Sequence, residues 1–144
     1  MRFQGSCHCG ALTYVYHTEL PPQEWSLRAC QCSFCRAHGA RTTSDPRGSV
    51  AFYVENPGGL RRYRFGHRIT EFVICAQCGV YIGAVAEISG GLFAVINTNA
   101  LHSFSADLKE AEPVNYDAES TEMRTARRRN RWTPCAPIAG CSER

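Results

Sequence analysis

The amino-acid sequence predicts a mostly β fold that ends in an irregular or partly helical arm. Three observations support this prediction. Short segments rich in β-branched and aromatic residues alternate with Gly, Pro and Asn. No segment before residue 116 keeps a helical apolar period over three turns. The 144 residues fit one domain, and a chain of this length buries enough surface to fold without disulfide bonds.

The predicted strands follow one another through the first two thirds of the chain. Their residues are those that a pleated, half-buried strand favours. They cover residues 12–16, 50–54, 60–65, 69–74, 80–86 and 92–96. Residues 56–59 (NPGG) and 89–91 (SGG) lie between such segments and are typical of hairpin connections. We therefore expect sheets of twisted antiparallel strands.

The C-terminal part of the chain has a different character. Residues 119–131 carry acidic residues early and arginines late, which is the order that the helix dipole favours, so they predict a helix. An extended arm across the body is the alternative. Residues 132–144 hold two prolines and show no periodicity, which predicts a loop or frayed tail. We assign residues 1–115 to a β domain and residues 116–144 to an arm and tail of the same domain.

The charge and hydropathy of the chain exclude several functional classes. The 16 Lys and Arg residues oppose 13 Asp and Glu residues, and the pI of 8.4 is below the value of about 9 that marks nucleic-acid-binding domains. A nucleic-acid partner is therefore not expected. No apolar stretch approaches the roughly 20 residues of a membrane helix, and the first ten residues lack the apolar core of a secretory signal. We expect a cytoplasmic protein with no membrane partner.

Seven of the nine cysteines lie in tight clusters, an arrangement typical of metal sites. Cys30, Cys32 and Cys35 form C-x-C-x-x-C and can converge on one ion with little loop closure. The other four clustered cysteines are Cys7, Cys9, Cys75 and Cys78. A zinc site with four protein ligands is usually structural, whereas three ligands leave a position for water or substrate. Spacing alone also allows another partition, in which one ion is bound by Cys7, Cys9, Cys30 and Cys32.

The four-cysteine set requires a long loop closure between Cys9 and Cys75. These residues are 66 positions apart, and joining them costs about 4 kcal/mol of chain entropy. Structural zinc contributes on the order of 10–16 kcal/mol, which exceeds that cost. Gly10 and Gly79 each follow the second cysteine of a pair and permit turns in which backbone N–H groups approach the sulfurs.

Three cysteine motifs follow one another within residues 5–101. They are S-C-H-C-G at residues 6–10, C-Q-C-S-F-C-R at residues 30–36 and C-A-Q-C-G at residues 75–79. In this order they resemble the glutathione-dependent formaldehyde-activating enzyme family, which includes centromere-protein-V-like proteins. The resemblance implies a β-tent fold with two zinc ions. It implies a catalytic zinc, open to substrate, at Cys30, Cys32 and Cys35, and a structural zinc at Cys7, Cys9, Cys75 and Cys78.

The resemblance also implies a reaction, the reversible addition of glutathione to formaldehyde to give S-hydroxymethylglutathione. Zn²⁺ with three thiolates has a formal charge of about −1, so it should acidify a bound water less than a site of neutral histidines does. Such an ion can still accept a substrate thiol and lower the pKa of that thiol. We therefore expect a carbon–sulfur lyase whose partner is a small-molecule thiol, namely glutathione or an adduct of it.

Three residues close in sequence to the proposed catalytic cysteines are candidate substrate contacts. Arg36 and Arg41 have forked guanidinium groups that can clamp the carboxylates of glutathione. His38 can act as a proton shuttle. Cys135 and Cys141 lie outside the motifs and have no assigned role; a fourth ligand from Cys135 would close the second metal site.

Two other classes of function stay open at this point. A non-catalytic zinc-binding interaction module would have a second metal site that is closed or absent. A redox protein would use Cys32 and Cys35 as a C-x-x-C pair. A homodimer is also left open.

Overall fold

The computed structural model describes residues 1–103 and 108–140 of the chain. It confirms the mostly β fold with a helix near the C-terminal end. In these residues the strands are β1 (Arg2–Ser6), β2 (Leu12–His17), β3 (Arg28–Cys30), β4 (Thr42–Thr43), β5 (Ser49–Val54), β6 (Leu60–Tyr63), β7 (Glu71–Cys75), β8 (Tyr81–Ile88), β9 (Gly91–Asn97), β10 (Glu112–Val114), β11 (Thr133–Cys135) and β12 (Ala139–Gly140). The α-helices are α1 (Ser33–His38) and α2 (Thr121–Arg131).

The strands join into one branched sheet. Its main path runs β1-β2-β5-β11-β9-β4-β3-β10, and the hairpins β6-β7 and β7-β8 extend from β9. The long pairs β1-β2, β2-β5, β7-β8 and β8-β9 are antiparallel, as predicted. Three short pairs, β10-β3, β11-β5 and β12-β5, are parallel. Each of these involves a C-terminal strand that reaches its partner through a long connection, so no hairpin imposes an antiparallel direction.

Strand β8 lies at the centre of the core because both of its faces are covered. Every residue of this strand except Glu87 is buried. One face contributes Ile82 and Val85 to a cluster around Trp25, and the other contributes Tyr81 to a cluster around Trp132. A strand buried on both faces is an almost continuous apolar segment, which explains why residues 80–86 were recognisable in the sequence.

The predicted helix over residues 119–131 is confirmed as α2. Its N-cap is Ser120, whose hydroxyl accepts a 3.1 Å hydrogen bond from the backbone N–H of Met123. Glu122 lies in its first turn and Arg128, Arg129 and Arg131 lie in its last turn, as the helix dipole favours.

The predicted loop after residue 131 is wrong in part. Residues 133–135 form β11, which pairs with both β9 and β5, and residues 139–140 form β12 on β5. These two segments are too short to show a period in the sequence, and they gain their extended conformation from the partner strands. The rest of the predicted tail, including Cys141, lies outside the described residues.

None of the helices in the described part of the chain has the length and apolar character that crossing a membrane requires.

The packing of β8 predicts a large effect of one added methyl group. A Cβ at Gly83 would lie 2.6 Å from Phe52 Cζ and 2.7 Å from the carbonyl oxygen of Val95. We expect Gly83→Ala to lower the free energy of unfolding by about 1–3 kcal/mol, as measured by denaturant titration.

A matched control is Gly91→Ala, at the start of β9. A Cβ there would meet Phe93 at an ordinary 3.4 Å, so the free energy of unfolding should change by less than about 0.5 kcal/mol. Equal unfolding midpoints for the two variants would contradict the close packing at Gly83.

Candidate metal centres

Four thiols converge at one end of the sheet from two separate turns. Cys7 and Cys9 follow β1, whereas Cys75 ends β7 and Cys78 follows it. The four Sγ atoms lie within 4.8 Å of one another, and Sγ of Cys9 is 3.6 Å from Sγ of Cys75. The chain therefore brings together residues 66 positions apart, as the predicted four-cysteine set requires.

The two turns present backbone N–H groups to the sulfurs. Leu12 donates to Sγ of Cys7 at 3.3 Å, and the N–H groups of Gln77 and Cys78 both donate to Sγ of Cys75 at 3.3 Å. Such donors stabilise thiolates, the form in which cysteine binds a metal. The turns need glycine, since φ is +84° at Gly10 and +82° at Gly79.

The thiols of this cluster differ in their acidity. Burial raises the pKa of Cys7 to about 12. Burial also acts to raise the pKa of Cys78, but backbone N–H groups of Cys9 and Val80 outweigh it and lower that pKa to about 6. Four soft sulfur donors from two rigid turns fit a closed, four-coordinate metal site.

The second cluster is local in sequence. Cys30 ends β3, Cys32 is the N-cap of α1 and Cys35 lies in the first turn of that helix. Their Sγ atoms lie within 4.8 Å of one another, and the N–H of Cys35 points to Sγ of Cys32 at 3.4 Å. The alternative partition, with Cys30 and Cys32 beside Cys7 and Cys9, is therefore wrong: the N-terminal pair groups with the pair after β7.

The thiols of Cys30 and Cys35 form a hydrogen bond with each other. A hydrogen bond from Cys35 lowers the pKa of Cys30 to about 6. The same hydrogen bond raises the pKa of Cys35. One thiolate is thus already favoured at neutral pH, and three sulfur donors fit a soft metal ion that keeps one coordination position free.

The three-cysteine cluster opens on a cavity of about 300 Å³. Aromatic residues form one part of its wall, and arginines from β3 and α2 form another. The aromatic residues are Phe65, Phe72, Tyr81, Tyr116 and Trp132. The arginines, called here the arginine wall, are Arg28, Arg124, Arg127 and Arg128. A small ligand in this cavity would meet thiolates, guanidinium groups and aromatic rings together.

The three residues predicted to contact substrate do not line this cavity. Among the described residues that line the cavity, none is Arg36, His38 or Arg41. Arg36 and His38 are exposed on α1, and the His38 ring packs on Phe34 at a centroid distance of 4.5 Å. Arg41 donates from Nε to Asn99 Oδ1 at 2.8 Å. Nearness in sequence to the cysteines did not place these side chains in the cavity.

The arginine wall was missed in the sequence, although a signal for it exists. Arg124, Arg127 and Arg128 are three and four positions apart, so a helix over these residues puts them on one face. The sequence does not reveal that this face covers the three-cysteine cluster, because that depends on how α2 docks on the sheet.

Cys135 belongs to neither cluster. It lies on β11, its Sγ–H donates to the carbonyl of Ala136 at 3.1 Å, and burial raises the pKa of its thiol to about 12. Within the described residues, the three-cysteine cluster thus gains no fourth ligand from it.

Together these features define a mostly β protein with two cysteine clusters that can hold metal ions, one of them beside a cavity. No family model and no curated protein matches the chain. The chain is similar to a crystal structure of a Rhodobacter sphaeroides protein from a structural genomics programme. The sequence identity is 29%, the match covers 77% of this chain and 99% of the other, and the TM-score is 0.56.

The two clusters should respond differently to the loss of one ligand. Cys32→Ala should reduce the metal content from about two ions to about one per chain and cost roughly 1 kcal/mol, the value of an N-cap. Cys75→Ala should also remove one ion, but it should cost several-fold more, on the order of the folding energy that structural zinc supplies. Elemental analysis and thermal unfolding measure both effects.

Cys135→Ser is the matched control because it replaces a cysteine outside both clusters, and its metal content should equal that of the unaltered protein. Equal losses of stability in Cys32→Ala and Cys75→Ala would show that the clusters do not divide into a local and a fold-spanning site.

Proposed function

We propose that the protein is a zinc-dependent carbon–sulfur lyase acting on a thiol adduct such as S-hydroxymethylglutathione. The observation that carries this proposal is the position of the three-cysteine cluster on the wall of a cavity large enough for a small ligand. The motif order, which resembles the glutathione-dependent formaldehyde-activating family, supports the same function. An interaction module would not require a cavity beside an incomplete ligand set.

Cys30, Cys32 and Cys35 are the residues that would hold the catalytic ion. When bound, zinc at three thiolates would supply a fourth position for the substrate sulfur and stabilise its thiolate form. The formal charge of −1 at such a site disfavours hydrolysis, since a bound water would be acidified less than at neutral ligands.

The reaction balances without an oxidant or reductant. In the direction of cleavage, the hydroxymethyl O–H proton leaves to solvent, the C–O bond becomes a carbonyl, and the electron pair of the C–S bond stays on sulfur as a thiolate. The reverse direction forms the C–S bond and takes up one proton. The proposed reaction therefore requires recognition of a sulfur atom and does not require a redox pair at Cys32 and Cys35.

The side chains that line the cavity determine the polarity around the three cysteines. Phe65, Phe72 and Trp132 line the cavity with apolar surface, which lowers the local polarity beside the thiolates. Lower local polarity strengthens the interaction between the cluster and charged groups of a substrate. Burial also raises the pKa of Tyr81 well above its usual value, so this cavity residue stays a neutral phenol at physiological pH.

Exchange spectroscopy by NMR tests the proposed activity directly. The zinc-loaded protein is mixed with glutathione and ¹³C-formaldehyde, and the exchange between free formaldehyde and its glutathione adduct is measured. We expect exchange faster than the spontaneous rate, and a loss of about 10²-fold in protein-dependent exchange for Cys32→Ala, in line with removal of one electrostatic group at a reacting centre.

Cys135→Ser should exchange like the unaltered protein. No acceleration, together with no binding of glutathione, would refute the glutathione version of the proposal. Zinc at only the four-cysteine cluster would instead favour the interaction module.

A further inference from the structure

The arginine wall carries more positive charge than its neighbours neutralise. Arg127 donates to both carboxylate oxygens of Glu119 from Nε, at 2.9 and 3.2 Å. Arg124 donates from Nη2 to the carbonyl oxygen of Tyr116 at 2.8 Å, and its Nε lies 3.8 Å from the same carboxylate. The carboxylate of Glu119 is therefore the acidic partner of two guanidinium groups, and its hydrogen bonds go to Arg127.

The other two arginines have neutral partners. Arg28 donates to the Ser44 hydroxyl at 2.7 Å. Arg128 donates to the Thr70 hydroxyl, and its guanidinium lies 4.6 Å from the ring centre of Trp132. In the described part of the chain, neither forms an ion pair with a carboxylate. Asp117 also lines the cavity, but it is exposed at its edge.

Two buried nitrogens in this wall have no hydrogen-bond acceptor among residues 1–103 and 108–140. They are Nε of Arg124 and Nε of Arg128. Arg128 is only 8% exposed, and its burial lowers its pKa to about 10, which still leaves it charged at neutral pH. A buried charged donor without an acceptor is costly, and an anion in the adjoining cavity would offset that charge.

Charge balance with the thiolates accounts for only part of this surplus. Three thiolates and one divalent ion leave a formal charge of about −1, which one guanidinium offsets. Arg28 and Arg128 both lack a carboxylate, and Arg124 shares one with Arg127. At least one positive charge in the cavity is therefore left for a ligand.

We propose that Arg124 and Arg128 bind a carboxylate of the substrate, so that the cavity selects thiols and thiol adducts that carry a negative charge. This inference rests on the proposed function, because it assumes that the sulfur of the same molecule faces Cys30, Cys32 and Cys35. Forked guanidinium groups suit a carboxylate better than an ammonium point charge would. Arg124 and Arg128, rather than Arg36 and Arg41, then determine substrate specificity.

A binding experiment can separate this proposal from the catalytic one. S-methylglutathione has the carboxylates of glutathione but no free thiol, and its diethyl ester has the same backbone without those charges. Calorimetry with the zinc-loaded protein should show that S-methylglutathione binds at least about tenfold more tightly than the diester. Arg124→Gln should remove about tenfold to a hundredfold of affinity for the acid and leave the diester unchanged.

Two further variants complete the test: one conservative substitution in the wall and one control outside it. Arg128→Lys preserves the buried charge while removing the fork, so it should fold and still bind the acid several-fold more weakly. Arg129→Gln is the matched control, since Arg129 is exposed on the same helix and donates to the Ser89 hydroxyl at 2.8 Å. It should bind both compounds like the unaltered protein. Circular dichroism and zinc content confirm that each variant is folded.

The outcomes are distinct for the two proposals. Equal binding of acid and diester, no binding of either, or a preference that Arg124→Gln and Arg128→Lys leave intact would overturn the carboxylate site, whatever the exchange assay shows. A preference that these variants abolish, in a protein that does not accelerate exchange, would support the carboxylate site and refute the lyase.

Discussion

The convergence of four thiols from two distant turns is the constraint on which the rest of the structure depends. A third turn, at residues 56–59, lies between them. Ala76 donates to the carbonyl of Gly59 at 2.8 Å, and Glu55 donates to the carbonyl of Ala11 at 2.8 Å. A Cβ on Gly59 would lie 3.0 Å from Ala11 Cβ, so the two turns pack closely at this point. A metal at this cluster would hold three turns and the six strands that flank them together at one end of the sheet.

The three-cysteine cluster does not join distant parts of the chain in this way. Cys30, Cys32 and Cys35 lie within six residues, so an ion there closes almost no loop and adds little to the stability of the fold. The fold can therefore keep this site incomplete and open to the cavity. Metal ions at the two clusters would therefore differ in what they add to stability, because only the four-cysteine cluster joins distant parts of the chain.

The sequence allowed six of the strands and α2 to be predicted, because each depends on local composition. Spacing alone left the partition of the cysteines open, and the order of the three motifs indicated the one that the structure has. The sequence did not reveal β1, β3, β4, β10, β11 and β12. All of these except β1 have two or three residues, and their conformation is imposed by the strands with which they pair. The same limit applies to the residues that line the cavity. Arg36 is near Cys35 in sequence yet exposed, whereas Arg128 is 93 positions from Cys35 and lines the cavity beside it.

Strand β11 positions the arginine wall beside the three-cysteine cluster. The hydroxyl of Ser44 donates to the carbonyl of Arg131 at 2.7 Å, and the N–H of Asp45 donates to the hydroxyl of Thr133 at 2.8 Å. These bonds attach the end of α2 to the segment after β4, and β11 then pairs with β9. Because Arg128 lies one helical turn before this attachment, its guanidinium is fixed relative to β3 and its cysteine. A segment without periodicity in the sequence thus positions the charge that faces the thiolates.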